Sequence, residues 1–279
     1  MSGIILLNKP RSLSSNTAVN IVKRVVGAKK AGHLGTLDVE AQGLLPVALD
    51  SSTKLFDMYL NKNKEYHTTF KFGEEHASYD LEGEIINSDD KIITKEEVLK
   101  ALPSFVGKLN QMPPAYSAKK INGKKAYELA REGKEVELKP KQIEIYDFSL
   151  IEQLGENLFR FKVSCSSGTY IRALCRDLAA KLSTYAVCYD ITRTRCGDFG
   201  LDKAYSLEDV KLGKYEIISP DTLFSYEKIE VSAEEELRLL NGQIFSFSLP
   251  DGKYRLYSTA FLGIGEVKDG KIKLVLRLN

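Results

Sequence analysis

The residues with the clearest chemical potential lie together in Gly32-His33-Leu34-Gly35-Thr36-Leu37-Asp38. Glycines on both sides of a histidine, followed by an aspartate, describe a loop whose backbone can approach a ligand closely. An aspartate on such a loop can cap a turn, bind a metal, or act as a nucleophile or base. The histidine can flank a ligand or sit at a surface turn. Elsewhere the chain has no phosphate-cradling GxxxxGK[ST] and no HExxH. Its four cysteines (Cys165, Cys175, Cys188 and Cys196) form no CxxC pair, and none of the three histidines lies near them in sequence. We read them as reduced thiols of a cytoplasmic protein and expect no metal.

The elements that must position these residues follow from periodicity. Gly3–Leu7 is an apolar run that predicts a buried strand. Ser14–Val26 predicts a helix, with Ser14 or Ser15 as its N-cap and Gly27 as its stop. The stretch from Ala28 to Asp50, which contains Asp38, reads as an ordered loop anchored by Leu34, Leu37, Leu44 and Leu45. A short helix is expected over 52–60, and strands over Lys64–Phe72 and Gly83–Asn87. Thr94 with Glu97 forms a capping box that opens a helix to about Leu102. Residues 115–122 read as a strand and Lys124–Arg131 as a helix. Ile143–Ile151 and Leu158–Ser164 alternate as half-buried strands do. Gly168–Leu182 is helical and Val187–Thr194 a strand. Near Phe224–Glu230 the pattern changes. A capped helix, Ser232–Leu240, leads into short strands at Gln243–Phe247, Tyr254–Ser258, Ala260–Val267 and Ile272–Leu276. The fold class is therefore α+β: a mixed, mainly antiparallel central sheet flanked by helices and loops, with a small C-terminal β-barrel module.

The chain has 279 residues and a net charge of only +2, with 43% hydrophobic and 28% charged residues, an ordinary globular composition. No apolar stretch is long enough to suggest a transmembrane helix, and the start lacks a signal peptide's pattern. The balance hides local asymmetry. Residues 1–37 carry six basic side chains and no acid, residues 38–107 a net −7, and residues 108–142 a net +5. Two basic segments could form a positive groove for a phosphate backbone, or simply be solvated faces.

The motif GHLGTLDVEAQGLLPVALD resembles the catalytic segment of the TruB family, the tRNA pseudouridine(55) synthases. Further segments match that family in order: LLNKP followed by SS, KEYHTTFKFG, YDLEGE, MPPAYSAKKINGKKAYELAREG, CSSGTYIRALCRDLAAKL and ITRTRCGDF. Together they span about residues 3–200, and the tail resembles a PUA-type RNA-binding module. The resemblance implies a pseudouridine synthase fold, with a catalytic domain over 1–228, an RNA-clamping insertion at about 108–142, and a PUA-like domain over 229–279. It implies an isomerase that breaks the glycosidic bond of the T-loop uridine, turns the base, and rejoins it through carbon. No cofactor, metal or guide RNA is implied, and the partner is the T-arm and elbow of tRNA, bound by a monomer.

Residue by residue, the resemblance makes Asp38 the nucleophile, attacking either the ribose C1′ or the uracil ring. Arg172 pairs with it; a buried arginine favours and orients the charged carboxylate. Tyr66 stacks on the base and is a candidate to remove the C5 proton. Tyr170 is a second active-site tyrosine, and Asp80 a carboxylate that could accept from the base N3–H. His33 enters the T-loop and fills the space left by the flipped uridine. Lys119, Lys120, Lys124, Lys125 and Arg131 reach phosphates. Arg193 is counted with the RNA-binding residues, as is Lys9, although Lys9 and Pro10 are better placed to shape a loop. The chain departs from the family pattern at Val39 (where Pro is usual), Gln42 (a small Thr or Ser), His76 and Ser78 (Thr residues), and Ile191-Thr192 (Leu-Arg). A tRNA-folding chaperone without catalysis, a guide-dependent synthase, and a glycosidase using Asp38 with Glu40 are the rival readings. The insertion argues against the second, and the near-adjacency of the two carboxylates against the third.

If the insertion grips phosphates, tRNA binding will weaken as salt rises. Replacing Lys119, Lys120, Lys124 and Lys125 by alanine will flatten the plot of log K against log salt by somewhat under one unit per lost phosphate contact. Filter binding at several salt concentrations measures this; salt-independent affinity would refute the groove.

Overall fold

Alternating strands with one apolar face need a partner layer, and here they join one large sheet. The computed structural model describes residues 2–114 and 138–278, together with the backbone of 120, 121, 124 and 125. The first half of the chain supplies β1 (Gly3–Lys9), α1 (Ser15–Val26), β2 (Ala31–His33), β3 (Gln42–Leu49) and α2 (Phe56–Leu60). Then come β4 (Lys64–Phe72), β5 (Glu74–His76), β6 (Ile85–Ser88), α3 (Lys95–Ala101) and β7 (Gly107–Gln111). A short hairpin follows, β8 (Lys120–Ile121) and β9 (Lys124–Lys125). After it lie β10 (Lys141–Gly155), β11 (Leu158–Cys165), α4 (Ile171–Lys181), β12 (Ala186–Cys196), β13 (Phe199–Gly200) and α5 (Leu207–Lys211).

Among the described residues the main sheet runs β1-β3-β12-β4-β11-β10-β7, with β2 on β3 and β13 on β12. It is mixed and mainly antiparallel, as expected; only β3 and β12 are parallel neighbours, paired at Gln42–Thr192 and Gly43–Arg193. One register row crosses four strands: Gly43, Arg193, Tyr66 and Val163. The core on one face is built from Phe70, Phe148, Phe159 and Phe161 with Leu174 and Leu178 of α4.

The helix ends follow their local chemistry. Ser14 accepts from the Thr17 N–H at the start of α1, and Gly27 closes it at φ 69°. Thr94 and Glu97 make the expected reciprocal capping box of α3. Several expectations change. QGLLPVAL is a strand and not part of the loop: it is buried on both faces between β1 and β12, so it shows no alternation to announce it. Gly168 stands at φ 77° ahead of α4, which starts at Ile171 and not at Gly168. Residues 108–111 and 141–142, grouped with the insertion on charge, are ladder partners at the edge of the main sheet. Of the strand expected at 115–122, only 120–121 is described, and it is extended. Of the helix expected at Lys124–Arg131, the described pair 124–125 is a strand. The remainder of both segments lies outside the described residues.

The last fifty residues form a second sheet, β14 (Glu227–Glu230), β16 (Gly252–Tyr257), β17 (Phe261–Lys268), β18 (Lys271–Arg277) and β15 (Phe245–Ser246), in that spatial order. It is accompanied by α6 (Ala233–Leu240), capped by Ser232 and Glu235. Leu276, Leu278 and Phe261 pack against Ile4, Leu6 and Leu55, and Lys54 Nζ donates to the Arg277 carbonyl at 2.9 Å. Among the described residues no helix is long and apolar enough to cross a membrane.

Gly43 is the tightest backbone position in the β3–β12 seam. It has φ 98°, and a Cβ there would meet the Arg193 carbonyl oxygen at 2.5 Å. Gly43→Ala should therefore cost about 3 kcal/mol or more of stability, read as a lowered denaturation midpoint. An unchanged midpoint would mean that the seam is looser than this geometry.

Candidate active site

The loop between β2 and β3 carries Asp38, and its shape is set by side chains from elsewhere. Leu34, Leu37 and Ala41 are buried anchors. Its carbonyls are claimed in turn. Arg193 donates to Gly35 O (3.0 Å), Thr36 O (3.2 Å) and, just beyond the loop, Leu44 O (2.8 Å). Ser15 donates to Leu37 O at 2.7 Å and accepts from the Leu37 N–H at 2.9 Å. Lys9 Nζ donates to Val39 O (3.1 Å), and also to Pro10 O and Leu13 O. Lys9 and Arg193 are buried, with 0% and 1% exposure.

Asp38 itself is 45% exposed. Both contacts from Arg172, Nε at 3.0 Å and Nη2 at 2.9 Å, fall on Oδ2. Oδ1 lies outside this ion pair. Arg172 is buried and its Nη1 turns away from Asp38, donating to Ser78 O at 2.8 Å and lying 3.3 Å from Asp80 Oδ2. Burial opposes the arginine's charge, but Asp38 and Asp80 outweigh it and raise its pKa. Asp80 Oδ1 in turn accepts from Ser78 Oγ and from the Glu82 N–H. The result is a chain of alternating charge, Asp38–Arg172–Asp80, in which α4 supplies the cation.

A cavity of about 680 Å³ opens over Asp38. Tyr66 and Tyr170 wall it, with Lys64, Lys141, Pro113 and Arg193 also on its lining. Burial pushes the Tyr66 phenol up, against the pull of Arg193, so it stays protonated. Tyr170 caps α4, and Gln111 of β7 fixes it through both of its backbone groups, at 2.9 and 3.0 Å. The space suits a flat, uncharged ring held beside a carboxylate. Among the described residues no group of three or more His, Cys, Asp or Glu could hold a metal ion.

Sequence reasoning placed Asp38, Arg172, Tyr66 and Tyr170 together, and the structure does the same. Other assignments shift. Lys9 and Arg193, counted with the RNA-binding residues, are buried and direct their charged groups to backbone carbonyls, and Arg193 also lines the cavity. Asp80 is absent from the cavity lining; it lies behind Arg172 with its oxygens engaged, and so acts on the arginine. His33 sits half-buried at the end of β2, outside the cavity lining, with no partner for Nδ1 among the described residues. Burial, aided by Arg193, lowers its pKa, which keeps the imidazole neutral. Lys119 and the side chain of Lys120 lie outside the described residues. Ser15, Gln111, Lys64 and Lys141 were missed. Only the SS after LLNKP and the first residue of a strand hinted at two of them.

Comparison with known proteins gives the class. Residues 23–171 match the N-terminal domain of the TruB family of pseudouridylate synthases, and residues 228–274 match the C-terminal domain of pseudouridine synthase II TruB. The fold is also that of Cbf5 in the crystal structure of the archaeal box H/ACA sRNP Nop10–Cbf5 complex. That match has TM-score 0.69 and 18% identity, over 99% of this chain and 86% of that one. Proteins named tRNA pseudouridine synthase B are close in sequence. The one from Caldanaerobacter subterraneus is 34% identical over 278 residues, 98% of each chain. That from Clostridium tetani is 41% identical over 248 residues, 87% of this chain and 85% of its own. The class is thus that of the pseudouridylate synthases. Within it, the chain belongs to the TruB family.

Burial pushes the Lys9 ammonium down to about 8, against the pull of Glu40 and Asp38. Between about 8 and the ordinary value near 10.4, the unfolded chain holds a proton that the folded chain has released. Stability from this group therefore rises with pH across that window, by up to about 3 kcal/mol. Thermal melts from pH 7 to 10 should show wild type gaining on Lys9→Met; parallel curves for the two proteins would contradict this.

Proposed function

We propose that this protein converts uridine 55 in the T-loop of tRNA to pseudouridine, with Asp38 as the nucleophile. One observation carries the reading. The Arg172 contacts fall on a single oxygen of Asp38, and Asp38 lines a cavity walled by two tyrosines. A carboxylate oriented in this way, on a loop whose carbonyls are tied down, is prepared to attack an electrophilic carbon. The tRNA substrate is supported by the names of the full-length relatives.

The reaction balances within the substrate. The C1′–N1 bond breaks and a C1′–C5 bond forms; C5 loses its hydrogen as a proton and N1 gains one. Asp38 bonds transiently to C1′ or to the ring and is released unchanged. Tyr66 offers a neutral aromatic face on which the freed uracil can turn without losing contact. Its raised pKa suits that role better than proton removal from C5 in the resting state. His33, neutral and flat, is positioned beside the loop to occupy the stack that the extruded uridine leaves. Lys64 and Lys141, both on the cavity lining, add positive charge beside the space for the substrate.

Tritium release from a tRNA transcript labelled at C5 of uridine tests this reading. Wild type should release about one equivalent per tRNA, and none of it from a transcript with cytidine at position 55. Asp38→Asn should abolish release while keeping tRNA affinity. Arg172→Met should slow release by about 100-fold or more, because the carboxylate loses its orientation. Tight binding without release by wild type would support the tRNA-folding chaperone instead.

A further inference from the structure

We propose that Gln42 and Thr192 form a positioning clip that holds the Asp38 loop in register with the rest of the site. The inference rests on the isomerase reading above. Its starting point is a short seam of the main sheet. One half of the site, Asp38, hangs from β2 and β3; the other half, Tyr66 and Arg172, belongs to β4 and α4. The two halves meet where β3 runs beside β12, and that parallel ladder has only two register pairs, Gln42–Thr192 and Gly43–Arg193. Slippage there would move the nucleophile relative to the groups it must work with. A displacement of about 1 Å can cost about 100-fold in rate.

Successive residues of a strand point to opposite faces, so the second pair and the first secure the seam from two sides. On one side the buried Arg193 reaches across to Gly35, Thr36 and Leu44. On the other, Gln42 Nε2 donates to Thr192 Oγ1 at 3.1 Å, and both residues are half-buried. Gln42 directly follows Ala41 of the cavity lining and stands four residues after Asp38. The ladder itself is too short to be rigid without these side chains, and Gly43, lacking a side chain, contributes none.

Gln42 and Thr192 are thus ladder partners in direct hydrogen-bonded contact. Neither residue touches the reacting atoms, so both are positioning residues.

The test is a double-substitution cycle with two readouts. Gln42→Ala and Thr192→Val should each lower kcat for tritium release about tenfold, with KM for tRNA within twofold of wild type. The double variant should be no worse than the worse single one, because either change alone opens the clip. Thr192→Ser, which keeps the hydroxyl, should recover most of the rate. The second readout needs no turnover: amide hydrogen exchange over residues 35–41 should quicken about tenfold in Gln42→Ala, while exchange in β10 and β11 stays as in wild type. The proposal is overturned by kcat values within twofold of wild type, by effects of the two substitutions that multiply, or by unchanged exchange over 35–41. If wild type itself releases no tritium, the isomerase reading fails, and the exchange measurement alone decides whether the clip exists.

Discussion

The carbonyl groups flanking Asp38 are the constraint from which the rest of the structure follows. A loop that must sit close to a substrate, away from bulk water, cannot leave its backbone acceptors unpaired. A buried cation has the opposite need, since it must find acceptors or lose its charge. Here each solves the other's problem. Arg193 and Lys9, with Ser15, satisfy Gly35, Thr36, Leu37 and Val39 in turn. The donors come from β12, β1 and α1, so these three elements must converge on one loop. The strand order β1-β3-β12 is what brings two of them to its sides.

The electrostatics extend that logic into the cavity. Arg172 is shared by two carboxylates, whereas Arg193 and Lys9 are held by neutral carbonyls and Lys64 by those of Leu60 and Lys62. Cations paired to carbonyls keep most of their outward field. Burial lowers the Lys64 ammonium as it does Lys9, while the Tyr66 phenol is pushed the other way. The cavity thus combines Asp38, paired to Arg172, with further cations on its lining and aromatic walls. A polyanion carrying a neutral base is the ligand that such a field and such walls attract together.

How much of this the sequence disclosed depends on the range of each interaction. Helix caps were legible because their partners are three residues apart: Ser14 with Thr17, Thr94 with Glu97, Ser232 with Glu235. Amphipathic strands were legible by alternation, but β3 was not, because it is buried on both faces. Asp38, Tyr66, Tyr170 and Arg172 came through family motifs, although 134 positions separate Asp38 from Arg172. The loop-shaping reading of Lys9 fits its place in the structure, whereas the depth of Arg193 was hidden for a physical reason. A sequence shows that a side chain is charged and not how deep it lies, and surface phosphate contacts and buried loop supports use the same residue types. The loop contacts of Gln111 and Ser15 were not legible, because both residues are uncharged and act at separations of 59 and 22 residues.

The edge of the main sheet shows how the basic segment and the chemistry share one wall. The chain leaves the sheet at Gln111 and re-enters it at Lys141, and these two residues are ladder partners. Gln111 holds both backbone groups of Tyr170, while Lys141 and Pro113 line the cavity itself. Tyr170 caps α4, and α4 carries Arg172. Gln111 thus links the edge strand to Tyr170, which stands two positions before the arginine that contacts Asp38.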